Sequence, residues 1–104
     1  MENLKLKLQQ RHLLSKKDAN IIAEFLCINY DETTEQIERL IDKFVINSPG
    51  TIGHLYEFCM ATKKEFPELK SLREMVVFCG YMRLHGITND SDTFIRFMKR
   101  FVKD

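Results

Sequence analysis

The sequence predicts an all-α protein, a compact bundle of five to six short helices around a central apolar helix at about residues 68–85. Three observations carry this. Apolar residues recur at helical spacing in several stretches, most cleanly at Ile37, Leu40, Ile41, Phe44 and Val45, an unbroken 0, +3, +4, +7, +8 stripe. Short polar connections rich in helix-capping residues separate the stretches, such as Ser48-Pro49 and the run from Thr88 to Asp92. Only four Gly and two Pro occur in 104 residues, few for a sheet-rich fold with many turns.

The central stretch, Leu69 to Gly86, is apolar along three lines: Leu69, Leu72, Val76 and Cys79; Met75, Phe78 and Met82; Val77, Tyr81 and Leu84. A helix that is apolar nearly all round must be wrapped by others. Gly80 inside it is unfavourable relative to Ala, so it reads as a close helix–helix approach. Gly86 reads as its C-cap.

Taken in order, the chain opens with Leu4-Lys5-Leu6-Lys7-Leu8. Strict alternation is a strand signal. Leu, Lys and Gln favour helix, however, and no second strand candidate is visible. A short helix from Asn3 to Leu13 is therefore expected, with a strand pairing across a dimer as the alternative. Ser15 to Asp18 resembles a capping box. Ile21, Ile22, Phe25, Leu26 and Ile28 follow as a buried face, and Asn29-Tyr30-Asp31 ends that helix. Thr33 or Thr34 caps the third helix, which runs to Asn47. The fourth repeats the stripe with Ile52, Leu55, Tyr56, Cys59 and Met60, and closes on Lys63-Lys64, cations suited to a helix C-terminus. Phe66-Pro67 breaks the chain before the central helix. The last helix runs from about Ser91 to Val102, with Phe94, Phe97, Met98, Phe101 and Val102 as its apolar face.

Length and composition bound the class. The chain reads as a single all-helical domain, residues 1–104, long enough to bury roughly two-thirds of its unfolded surface without disulfides or metal. Charged residues are 30% and apolar residues 44%, which argues against wholesale disorder. A net charge of +1 marks neither a DNA mimic nor a strongly basic binder. Cys27, Cys59 and Cys79, odd in number and widely spaced, do not form a secreted disulfide pattern. Neither a signal peptide nor a membrane-spanning run is present in the sequence, so a cytoplasmic, non-membrane protein is expected.

Two charged faces stand out. Arg96, Lys99, Arg100 and Lys103 share one sector of the last helix, opposite the phenylalanines. They suit phosphates or an acidic protein surface, and equally a solvated face. Asp31, Glu35, Glu38 and Asp42 cluster on the third helix. Opposite stripes of this kind predict salt-sensitive self-association of two copies, a homo-dimer. Tyr30, Phe58 and Phe66 fall off the clean stripes or in connections, and are candidate exposed aromatic anchors.

Catalytic patterns are weaker. A helix-turn-helix reader would want a basic recognition-helix start, where Asn89, Asp90 and Asp92 stand instead. His12, His54 and His85 do not have metal-site spacing with the cysteines. The cysteines lie on apolar stripes, where a thiolate is disfavoured. No P-loop ending follows the Gly-containing start at Ser48 to Gly53. No catalytic residue, metal or cofactor is expected. The sequence therefore predicts a small non-catalytic protein–protein interaction module, an inhibitor, adaptor or assembly subunit, of the kind frequent among phage and mobile-element accessory proteins. The alternative is a nucleic-acid-binding regulator that uses the basic face of the last helix, helped by Lys63, Lys64 and Lys70.

Overall fold

Alternating Leu and Lys can make a strand or a helix, and burial decides between them. In a strand Leu4, Leu6 and Leu8 would share one face; in a helix Leu4 and Leu8 stack and Leu6 turns away. The computed structural model describes residues 1–47, 52–84, 86 and 91–101, and in it Leu4 and Leu8 are fully buried while Leu6 is exposed. The described residues form six helices and no strand: α1 Glu2–Gln10, α2 Lys16–Asn29, α3 Thr34–Asn47, α4 Ile52–Glu65, α5 Leu72–Leu84 and α6 Ser91–Phe101. The Ser48-Pro49 helix start and Val102 lie outside the described residues.

α1 stops earlier than expected. The Arg11 N–H still bonds to the Lys7 carbonyl at 2.8 Å, but Leu13 adopts φ 59°, and the Leu14 N–H turns back to the Leu8 carbonyl at 3.1 Å. This left-handed conformation costs an L-residue about 1–2 kcal/mol. It lets the chain double back, so that α1 packs on α2 and α3.

α2 starts where the Ser15 hydroxyl accepts the Asp18 N–H at 3.1 Å. Its buried face is not the expected one. Ala19, Ile22, Ala23 and Leu26 are inside; Ile21 and Ile28 are exposed and Phe25 is half-buried. Two alanines on the inner line present little bulk to the neighbour, α1. α3 is tied by a reciprocal capping box. The Thr33 hydroxyl accepts the Gln36 N–H at 3.2 Å, and the Gln36 side chain accepts the Thr33 N–H at 2.9 Å. Ile37, Ile41 and Phe44 are fully buried, while Val45 ends the stripe at the surface. α3 packs against α1, α4 and α5.

The N-terminal ends of α3 and α5 lie side by side. Glu32 accepts the Leu72 and Arg73 N–H groups at 3.0 Å each and the Ser71 hydroxyl at 3.3 Å; Ser71 in turn accepts the Glu74 N–H. A carboxylate thus satisfies orphan amides of a helix that begins 40 residues later. The Asp31 N–H bonds to the Lys70 carbonyl beside it. α6 closes the bundle on α4 and α5, with Met98 fully buried.

Of two of the three apolar lines of α5, Leu72, Met75, Val76 and Cys79 are buried and Leu69 and Phe78 pack on the core, while the Met82 side chain lies outside what is described. The third line is not covered, because α3 and α6 are the main neighbours of α5 while α1 and α2 pack elsewhere. A Cβ added at Gly80 would meet nothing within 4 Å, so this glycine does not serve a close approach inside the chain. Gly86 has φ +66°, the conformation expected of a helix-ending glycine.

Candidate functional site

The acidic face of α3 divides in two. Docking through Leu4 and Leu8 brings the cations of α1 over its second half. Lys7 lies 3.6 Å from Glu38 and 3.0 Å from Asp42; Arg11 and His12 approach Asp42 to 3.4 and 3.2 Å. Burial pushes the Asp42 carboxyl up. Lys7, through its hydrogen bond and charge, outweighs this with His12 and Arg11 and holds the group below its ordinary value. Glu38 and Asp42 are therefore covered by the α1 segment and do not form an open acidic face for the basic ridge of a second copy's α6. Asp31 and Glu35 remain exposed near the start of α3, where negative charge suits the helix dipole.

The basic face of α6 has a different environment. Arg96, Lys99 and Arg100 are exposed, and Lys103 lies outside the described residues. Lys99 sits 3.4 Å from Glu65 of α4. Among the described residues no ion pair reaches Arg96 or Arg100. Of the three helpers, Lys64 lines a shallow groove between α4 and α6 with Arg96 and Lys99, while Glu65 and Asp92 dilute its charge. Lys63 is turned inward, bonded to the Leu69 carbonyl and placed 4.7 Å over the Tyr30 ring. Burial lowers its pKa, helped by the charge of Lys70. Lys70 itself lines a different groove, with Asp31, Glu32 and Glu68.

The candidate aromatic anchors are not exposed. Tyr30 and Phe58 are buried in the core, and Phe66 packs against it half-buried. Off-stripe position misled because the contacts are made across helices: Tyr30 closes the end of α2 over α4. Its hydroxyl is buried beside the Cys59 thiol, with no hydrogen-bond partner among the described residues, and burial, then Cys59, pushes the phenol up. Burial pushes the Cys59 thiol up to about 12, and the Cys79 thiol in the same direction. An activated nucleophile needs the opposite shift.

What the surface does present is apolar. Val77, Tyr81 and Leu84 are 52, 43 and 84% exposed, in a line at i, i+4 and i+7 along the outer side of α5. The Tyr81 ring lies 5.4 Å from that of Phe97 in α6, and Phe97 meets Phe78 edge-on at 6.0 Å. On its own helix Phe97 is followed one turn on by Arg100, while Arg96 lines the groove toward α4. The apolar line of α5 is thereby continuous with the basic ridge of α6. The sequence names every residue of this surface but reads the α5 line as core; the signal pointing the other way is that three apolar lines on one helix exceed what two neighbours can cover. A second apolar surface involves other helices, where Phe25 of α2 meets Tyr56 of α4 at 5.2 Å and Ile21, Ile28 and Met60 are exposed.

No described helix is long and apolar enough to cross a membrane. The chain matches no family model, no curated protein and no solved structure, so its function is argued from this geometry.

Proposed function

We propose that the chain is a non-catalytic cytoplasmic module that binds another protein through the outer side of α5 and the adjoining ridge of α6. The observation that carries this reading is the exposed line of Val77, Tyr81 and Leu84. Contiguous apolar residues bordered by charge are characteristic of partner surfaces. Arg100, one turn along α6 from Phe97, and the exposed Arg96 favour a partner whose contact residues are apolar with acidic neighbours. In this role the module would act as an inhibitor, adaptor or assembly subunit. The test is affinity capture with the double change Val77→Ser and Leu84→Ser, after circular dichroism has established that the helices are retained. Loss of a partner that the Ile28→Ser protein retains supports the reading. Retention of every partner by the double variant removes it.

A second reading rests on the same ridge. Exposed Arg96, Lys99 and Arg100 suit phosphates, and would bind nucleic acid without reading its sequence. Three phosphate contacts give a log–log salt slope of about −3. Anisotropy titration of labelled duplex DNA and single-stranded RNA at several salt concentrations measures it. Binding with that slope, diminished in Arg96→Ala and Arg100→Ala, favours this reading; no binding at low salt excludes it.

A further inference from the structure

We propose that α1 is exchangeable: the bed it occupies on α2 and α3 is a docking surface for the α1 of a second copy, and two chains pair by swapping this helix. The inference is independent of the α5 surface. It rests on the connection between α1 and α2 and on what α1 touches.

The connection runs from Arg11 to Ser15 and is bent by Leu13 at φ 59°. The Leu13 side chain is 84% exposed, so no packing of its own holds it there. Glycine is the residue this conformation favours, and none is present. The bend exists because α1 folds back onto its own α2. Short hinges under strain are the sequence feature that invites exchange of an element between copies. Extended, five residues reach roughly 17 Å, enough to carry α1 outward to a neighbouring bed while Leu13 returns to ordinary backbone geometry.

The bed is specific for α1. Leu4 and Leu8 are fully buried in it. Lys5 meets Glu24 of α2 at 3.6 Å, and Lys7, Arg11 and His12 meet Glu38 and Asp42 of α3. A second copy carries the same helix and the same bed, so the contacts made by Leu4, Lys5, Lys7 and Leu8 are kept after exchange, while those of Arg11 and His12 belong to the connection that opens. The contacts confined to the closed hinge are the bond from the Leu14 N–H to the Leu8 carbonyl, which water replaces, the packing of Leu14 on the core, and the approach of Arg11 and His12 to Asp42. The identical contacts cancel. Strain relief at two hinges then opposes the loss of independent motion, which makes pairing concentration-dependent, and slow because α1 must leave its bed first.

The test uses the full chain in two arms. In the first, Lys7→Glu and Asp42→Lys proteins are prepared separately, incubated together and weighed by native mass spectrometry. Each alone sets like charges against each other, whether paired or single. Exchange between them seats an unaltered α1 on an unaltered bed in one half, and a charge-reversed pair in the other. The expected result is a one-to-one heterodimer at least tenfold enriched over either homodimer. If either variant is unfolded alone, recovery of helicity on mixing is the same result in another readout. Two species that stay single after mixing overturn the proposal. In the second arm the unaltered chain and Leu13→Gly are compared by light scattering across concentration. Removing the hinge strain should lower the dimerisation constant roughly tenfold or more. A dimer that is indifferent to Leu13→Gly, or that is abolished by Val77→Ser with Leu84→Ser, overturns it.

Discussion

The acids of α3 and the cations of α6 are similar in number, and the structure treats them differently. On α3, Glu38 and Asp42 lie under Lys7, Arg11 and His12, carried there by a helix that docks through two leucines. On α6, Arg96 and Arg100 are exposed, and of its cations only Lys99 reaches an acid among the described residues. A charged stripe on a helix therefore says little about function until it is known whether another element of the chain lies over it. The half-covered acids are structural parts; the open cations and their apolar neighbours are what remains for a partner.

The largest expected effect breaks the covered side. Leu8→Ala removes a fully buried side chain from the α1 bed and should cost about 2–5 kcal/mol in urea unfolding. It should also bring fast amide exchange to residues 2–10. Unchanged stability would mean that α1 is not held where the contacts place it. Next comes Glu32→Ala, which leaves the Leu72 and Arg73 amides without their carboxylate; a loss of about 1–2 kcal/mol is expected. Glu35→Ala, on an exposed neighbour, is the control and should change little.

The charge comparison sharpens with pH. The Asp42 carboxyl is held below its ordinary 3.8, so its stabilising contribution is full above that value and is lost as pH falls through the lower folded value. Asp42→Asn should cost about 1 kcal/mol at pH 7 and progressively less as pH falls below the ordinary carboxylate range, read from unfolding midpoints across pH. Arg100→Ala on the open face should move stability by less than about 0.5 kcal/mol across the same range. Equal costs for the two substitutions would erase the distinction. The smallest effect is a gain. Gly80→Ala meets no atom within 4 Å and should stabilise the chain by about 0.5–1 kcal/mol, seen as a higher Tm. A loss would show that α5 is packed more closely at Gly80 than described.

The fold class was legible because 3.6-residue periodicity is local. Ile37, Ile41 and Phe44 need no knowledge of the rest of the chain to announce a buried face. The Leu-Lys alternation was legible as helix from propensity, although its end was not: a leucine at positive φ contradicts local preference and follows from the fold-back. Tertiary choices were hidden. Ile21 and Ile28 outrank Ala19 and Ala23 in apolarity, yet the alanines are inside. Glu32 is an ordinary exposed acid by sequence, since the helix it caps starts 40 residues later. Of the candidate site, the cations of α6 were visible, whereas the exposed line of α5 was read as core because nothing in one helix reveals how many neighbours it has.

The most direct test of the central claim places a photo-crosslinking amino acid at position 77, on the open face, and in a separate protein at position 28, exposed on α2. Both are irradiated in lysate of the source organism. A discrete protein adduct at 77, absent at 28 and lost with Arg96→Ala and Arg100→Ala, is the predicted outcome. Adducts at 28 alone, or the same adducts at both positions, would contradict the assignment of the α5–α6 surface.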